Sequence, residues 1–343
     1  MKVLAHGFEP IVRSGISDLL AFDTSRSIYS QNQMLDVLLA MSIFGSCAEG
    51  TSNSLLHYRR CPSADTLLLY IKPLDRLELQ SISCLMTENL VSMLRARGLL
   101  NKSLDIALDW HDDMYYGKRA EMVNGTKPAR GSSYAYQYMT ASVLVDGIRF
   151  VIYVMPVKSR GAMLDYVRDC IATISNRLGI AIASVCLDAG FFSEEMTGYL
   201  NSTGYRYVIR MPANRKIQKM RMKNGQWIQY ELGGGTRTGL VCCDDSRGKR
   251  YYLATNMRSR PQKILAMYKR RWGIETSYRM VEDFMPQTTS KKYVVRLYYF
   301  LFAVWMYNLW VLFNLGQKGG HVIVLAVKMG MFLSIAQAVQ EEG

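Results

Sequence analysis

No C-x-x-C pair occurs among the seven cysteines of this 343-residue sequence, and their number is odd. That spacing excludes a zinc ribbon and a paired secreted framework; it suits reduced thiols in a cytosol. The opening stretch, MKVLAHGFEPIVRSG, has no apolar core before Glu9 and Pro10, so no secretory leader is expected. Internal repeats and low-complexity tracts are also missing, which excludes solenoids and linker-like polymers. Charged residues are only 20% of the chain and hydrophobic ones 49%, so it is neither a disordered tail nor a fibre. What remains is a folded protein with a large core, long enough for roughly two or three domains.

Acidic residues are scarce in one place. Residues 1–100 hold nine basic and nine acidic side chains, and residues 101–211 hold twelve and eleven. Residues 212–300 hold nineteen and six, so +13 of the net +14 lies in one quarter of the chain. Such a concentration is the footprint of a polyanionic partner, because each phosphate neutralised releases condensed counterions. The neutral first hundred residues argue against direct nucleic-acid contact there.

Segments 32–47, 63–73 and 75–97 carry apolar residues at helical spacing and predict a helical domain over 1–100, stopped by Gly98. The period then shortens. SLDIALDW (103–110) alternates as a strand does, and the runs 136–145 and 148–157 flank Asp146-Gly147, a strong signal for a hairpin. A helix over 162–178, a strand over 180–188, a short helix over 193–201 and a strand over 205–211 follow. Three antiparallel strands and then two that return through helices make the order of an RNase H-like α/β fold. By analogy with that fold, the sheet is mixed and five-stranded, with its first and fourth strands parallel neighbours. Residues 101–211 are thus the first part of this domain. Residues 212–257 form a β-rich basic insertion, expected to stand apart from the main sheet. Residues 258–316 are the domain's second part, with one helix from about 259 to 284, and residues 317–343 are an apolar helix and tail.

This order sets Asp109 and Asp188 side by side at strand ends. In the helix that follows, Tyr268, Arg271, Glu275, Arg279 and Glu282 fall on one face, within about 80° of arc at 100° per residue. Clustered carboxylates are the ligands Mg2+ prefers. Two such ions about 3.5–4 Å apart stabilise both the attacking and the leaving oxygen of a phosphodiester displacement. Asp109, Asp188 and Glu275 are therefore the expected metal ligands and catalytic residues, with Asp112 and Asp113 as alternatives to Asp109. His111 is either a further ligand or a hydrogen-bonding neighbour.

The same residues resemble a known family. LDWHDDMYYG and VCLDAGFFS are similar to the two aspartate blocks of the DDE transposases of prokaryotic insertion sequences, and YYLATN is similar to the strand that returns from their β-insertion. Tyr268, Arg271 and Glu275 match the first three positions of the group's Y-x2-R-x3-E-x6-K signature, whereas Glu282 stands where the signature has Lys. The blocks span residues 104–315. The resemblance implies an enzyme that uses two Mg2+ ions, with Mn2+ able to substitute, to cut at element ends and join the freed 3′ hydroxyl to target DNA. It implies double-stranded DNA as partner, a homodimer that pairs two ends, and a place on the nucleoid in the cytoplasm. Phosphate contacts are then expected from Tyr268, Arg271, Arg279, Lys291 and Lys292, and from Arg215 and Lys216 in the insertion. Trp227 is the candidate for stacking an unstacked base. Two alternatives are an RNase H-like nuclease without strand transfer and an inactive DNA-binding derivative.

The stretch 297–316 has no charge and is long enough to span a bilayer. Its Tyr298, Tyr299, Tyr307, Asn308 and Asn314 suit a protein core better than lipid. A buried helix is expected, and no membrane partner.

Overall fold

In the computed structural model the described residues are 7–16, 19, 24, 27–56, 61–145, 147–271, 273–317 and 321–341; the side chains at 56, 273–276 and 336–341 lie outside that description. The chain divides into two compact units, residues 1–92 with 277–343, and residues 93–276.

The amino-terminal helices are α1 (Phe8–Ile16), α2 (Gln31–Phe44), α3 (Ala48–Leu56), α4 (Ala64–Ile71) and α5 (Arg76–Ala96). A capping box starts α2: Ser30 Oγ accepts from the Gln33 N–H, and the Gln33 side chain accepts from the Ser30 N–H. Gly45, at φ 57°, ends that helix in the left-handed region that glycine enters without strain.

The second unit is built on a sheet. Its strands are β1 (Leu104–Met114), β2 (Val123–Ala129), β3 (Ser132–Val145) and β4 (Ile148–Val157). After α6 (Met163–Ala172) come β5 (Ile182–Leu187), α7 (Glu194–Ser202) and β6 (Tyr207–Arg210). The expected hairpin is present, with Val145 opposite Ile148 and Gly147 at φ 82°; Asp146 lies outside the described residues. Strands β4, β3, β1, β5 and β6 lie in that order, with β1–β5 and β5–β6 parallel and the others antiparallel. This is the RNase H-like arrangement read from the sequence. Polar β2 shares the outer edge of β3 with β4, and its Pro128 suits an edge strand.

The insertion departs from expectation. After α8 (Arg215–Lys219) come β7 (Gln226–Glu231), β8 (Arg237–Asp244) and β9 (Arg250–Thr255). Strand β9 pairs antiparallel with β6 from Val208↔Thr255 to Arg210↔Leu253, and β8 and β7 follow, so the insertion extends the same sheet to nine strands. The physical reason is the edge of β6, whose backbone donors and acceptors need partners. Residues 251–255 are buried on both faces, as an interior strand requires. The insertion's basic side chains lie on α8 (Arg215, Lys216, Lys219), in the loops (Arg221, Lys223, Arg247, Lys249) and at the first positions of β8 and β9 (Arg237, Arg250).

The chain closes with α9 (Pro261–Arg270), α10 (Gly273–Phe284), α11 (Tyr293–Leu315) and α12 (Val324–Glu341). Helix α11 is long and apolar enough to cross a membrane, yet 94% of its most apolar stretch is buried within the protein. Its polar groups bond internally: Tyr298 Oη donates to Leu19 O, Tyr307 Oη bonds Ser277 Oγ, and Trp310 Nε1 donates to Val322 O. Such satisfied polar groups are what a protein core demands.

Candidate active site

Strand β1 does not end at Asp109; it runs on to Met114 because β3 continues to pair with it. What ends is the parallel pairing with β5, whose last register pair is Leu108↔Leu187. Asp109 and Asp188 are the next residues on each chain. They flank each other at the carboxyl ends of adjacent parallel strands, where open α/β sheets place their ligands.

Helix α9 lies against the neighbouring strands. Its Ile264, Leu265 and Tyr268 pack with Val208, Val241 and Leu253, which fixes the helix's last turn over the aspartates. Tyr268 Oη donates to Asp188 Oδ1 at 3.0 Å. Arg271 Nη1 donates to Asp109 Oδ2 at 2.7 Å, while Nη2 stands 3.4 Å from Asp188 Oδ1 and 3.5 Å from Tyr268 Oη. One guanidinium thus bridges both carboxylates. The Arg271 side chain is 3% exposed, that of Asp109 16% and that of Asp188 37%. Burial opposes the Arg271 charge, but Asp109, Tyr268 and Asp188 together outweigh it and raise its pKa. Burial pushes the Tyr268 phenol up to about 12, against the pull of Arg271, so it remains a proton donor at neutral pH.

An alkaline instability follows. Folded Tyr268 keeps its proton up to about 12, whereas an unfolded tyrosine releases it near pH 10. Between those values the folded state binds more protons, so stability falls as pH rises. Tyr268→Phe should lose about 1.5 kcal/mol at neutral pH, the lower end for a hydrogen bond to a charged group, because Asp188 is partly exposed. It should also flatten the decline of Tm above about pH 10. Equal alkaline slopes for variant and wild type would contradict the assignment.

The expected single helix is broken. Helix α9 stops at Arg270 and α10 starts at Gly273, a residue about 1 kcal/mol less favourable than Ala inside a helix. Tyr268 and Arg271 therefore belong to the end of one helix and Glu275 to the first turn of the next. The side chain of Glu275 and the whole of Trp272 lie outside the described residues.

The alternatives to Asp109 separate cleanly. Asp112 points to the opposite sheet face, where Thr126 Oγ1 and Gln137 Nε2 donate to it and Arg160 lies 3.5 Å away. Trp110, on that same face, stacks on Phe191 at 4.8 Å. Asp113 shares the face of Asp109 but lies four residues on, about 13 Å along the strand. His111 is buried beside the Tyr138 ring.

Other expected contact residues are dispersed. Arg279, Lys291 and Lys292 are exposed and belong to the other compact unit. Arg215 and Lys216 are exposed on α8, with Lys216 Nζ 5.3 Å from the centre of the Tyr230 ring. Trp227, half-buried on β7, lines a cavity of about 610 Å³ with Arg258, Ser259 and Arg260. Its indole rests on Gly239 of β8, where an added Cβ would come within 2.7 Å of the ring. Gly239→Ala should displace Trp227, shift the tryptophan emission and cost about 1–3 kcal/mol by overpacking. An unchanged spectrum would show that the indole is not seated there.

One pairing had no sequence signal. Ser184 Oγ donates to Asp105 Oδ1 at 2.7 Å, and Arg270 Nη1 lies 3.3 Å from Asp105 Oδ2. Consecutive arginines thus grip carboxylates four residues apart on β1, which fixes the register of α9 over the strand.

The profile of the family described as "Transposase DDE domain" matches residues 101–309. This chain belongs to that family. Among solved structures, the transposase is similar in fold to piggyBac transposase, determined as a synaptic complex with hairpin DNA. The likeness has a TM-score of 0.60 at 13% identity and covers 98% of this chain and 78% of that one. No curated protein sequence matches the transposase.

Among the described residues, no three His, Cys, Asp or Glu side chains gather as a metal site. Asp109 and Asp188 still fit a divalent ion by donor type, as two hard oxygen ligands turned toward one cationic group. No described residue donates to Asp188 Oδ2, so that oxygen is open to a further ligand.

Proposed function

We propose that this transposase cuts DNA at the ends of a prokaryotic insertion sequence and joins the freed 3′ hydroxyl to target DNA. The observation that carries the reading is the convergence of Asp109 and Asp188 on one guanidinium, at adjacent parallel strand ends, in a chain of the DDE family. Asp109 and Asp188, with Glu275 as third ligand, would hold two Mg2+ ions, for which Mn2+ can substitute. Bound there, such ions supply an activated water and neutralise charge on the reacting phosphate. The chain's own groups prepare that site: Tyr268 orients Asp188 through its donated proton, and Arg271 holds the two carboxylates together against their repulsion.

The partner is double-stranded DNA, supported by the charge of residues 212–300 and by the solved relative's complex with hairpin DNA. Two copies of the chain would pair two element ends, on the nucleoid in the cytoplasm. The test is a joining assay with end-bearing duplex, a target plasmid and Mg2+. Covalent joining is expected. Nicks without joined product would reduce the protein to a nuclease, and binding without nicks would make it an inactive derivative.

A further inference from the structure

A second concave feature, distinct from the aspartate pair, is lined in part by the basic quarter of the chain. A cavity of about 750 Å³ opens at the amino-terminal edge of the parallel strands, where β1, β5 and β6 begin and β9 ends. Arg206, Arg258, Lys263 and Arg270 line it, with Asp105 as its one acid. Asp105 is already engaged by Ser184 and Arg270. The side chains of Arg206, Arg258 and Lys263 are exposed and meet no acid or acceptor among the described residues. Three unneutralised cations in a concave site focus field onto its interior, and guanidinium forks match phosphate oxygens.

From this geometry we infer that the cavity is a phosphate-binding site, occupied by the DNA backbone at a distance from the cleavage point. The occupant rests on the DNA reading above; the site itself rests on the unpaired cations. Asp105 precedes Asp109 by four residues, about 13 Å along β1. At about 3.4 Å per nucleotide of one strand, the bound phosphates lie roughly four steps from the scissile one. The cavity would therefore hold the duplex in register without reading its bases. Arg258 and Ser259 also line the Trp227 cavity, so the basic tract continues toward the insertion.

The experiment compares wild type with the triple variant Arg206→Gln, Arg258→Gln and Lys263→Gln. The affinity for a short duplex is measured across a range of salt concentrations, and binding of inorganic pyrophosphate is followed by calorimetry. The salt slope of duplex binding should fall by about two to three units, near 0.9 per lost phosphate contact, with Tm unchanged. If the triple variant is unstable, each single variant should lose about one unit. An unchanged slope in folded variants overturns the inference. So does pyrophosphate binding that depends on the three cations while the duplex slope does not, since the cavity then takes a small polyphosphate. Wild type that nicks DNA while the variant keeps its slope defeats the inference and spares the transposase reading. Wild type that binds no DNA defeats both.

Discussion

Asp109→Asn, Asp188→Asn and Glu275→Gln are each expected to lower DNA cleavage by several orders of magnitude and leave duplex affinity nearly unchanged. An amide keeps the size of the side chain but removes a charged oxygen ligand, and the ion supplies both the nucleophile and the charge stabilisation. Backbone binding is governed by Lys and Arg contacts elsewhere, so affinity is spared. Cleavage assays beside binding assays separate the two effects. Asp112→Asn is the informative control. Asp112 faces Gln137 and Arg160 on the other side of the sheet, so its amide should cut almost normally. Were Asp112→Asn inactive and Asp109→Asn active, the first ligand would be misassigned. Were all three amides at 109, 188 and 275 active, the family chemistry would not operate in this chain.

The second large effect belongs to Arg271. Arg271→Gln removes the cation that bridges Asp109 and Asp188 and leaves two carboxylates side by side. Losing one partner of a buried ion pair costs about 3–5 kcal/mol. The lower end applies here, because the Asp188 side chain is 37% exposed and partly screened. Adding Asp109→Asn to Arg271→Gln should restore about 2 kcal/mol, a coupling that a double-mutant cycle measures. Divalent cations should also raise the Tm of Arg271→Gln more than that of wild type, since an ion binding the folded site replaces the missing charge. Strictly additive losses, with equal metal stabilisation of both proteins, would show that the guanidinium does not hold the carboxylates.

The two aspartates were legible because each follows an apolar run, and the RNase H-like analogy supplied the strand order that makes them neighbours. The face they share with Arg271 was not legible in the same way. Helical periodicity over 268–284 treats the segment as one rod, and only the break before Gly273 separates Tyr268 and Arg271 from Glu275. The burial of Arg271 was hidden for a related reason. A signature match suggests phosphate contact, whereas its described contacts are carboxylates and a phenol, fixed by the packing of Ile264 and Leu265 that no local pattern displays. The insertion misled through its charge. Lys and Arg on α8, in the loops and at the strand starts outweighed the apolar strands GLVCC and YYLAT, which extend the sheet from the edge of β6. The β2 edge strand left little trace, since VNGTKPA has neither alternation nor aromatic residues.

Asp109 and Asp188 are proposed as paired metal ligands which Arg271 holds together. The most direct test is anomalous diffraction from crystals of the full chain bound to element-end duplex and soaked in Mn2+. Metal peaks are expected at coordination distance, about 2.1 Å, from oxygens of both Asp109 and Asp188, with Glu275 completing the site. Crystals in which Mn2+ binds elsewhere, while the Arg271 guanidinium remains alone between the two aspartates, would contradict the assignment.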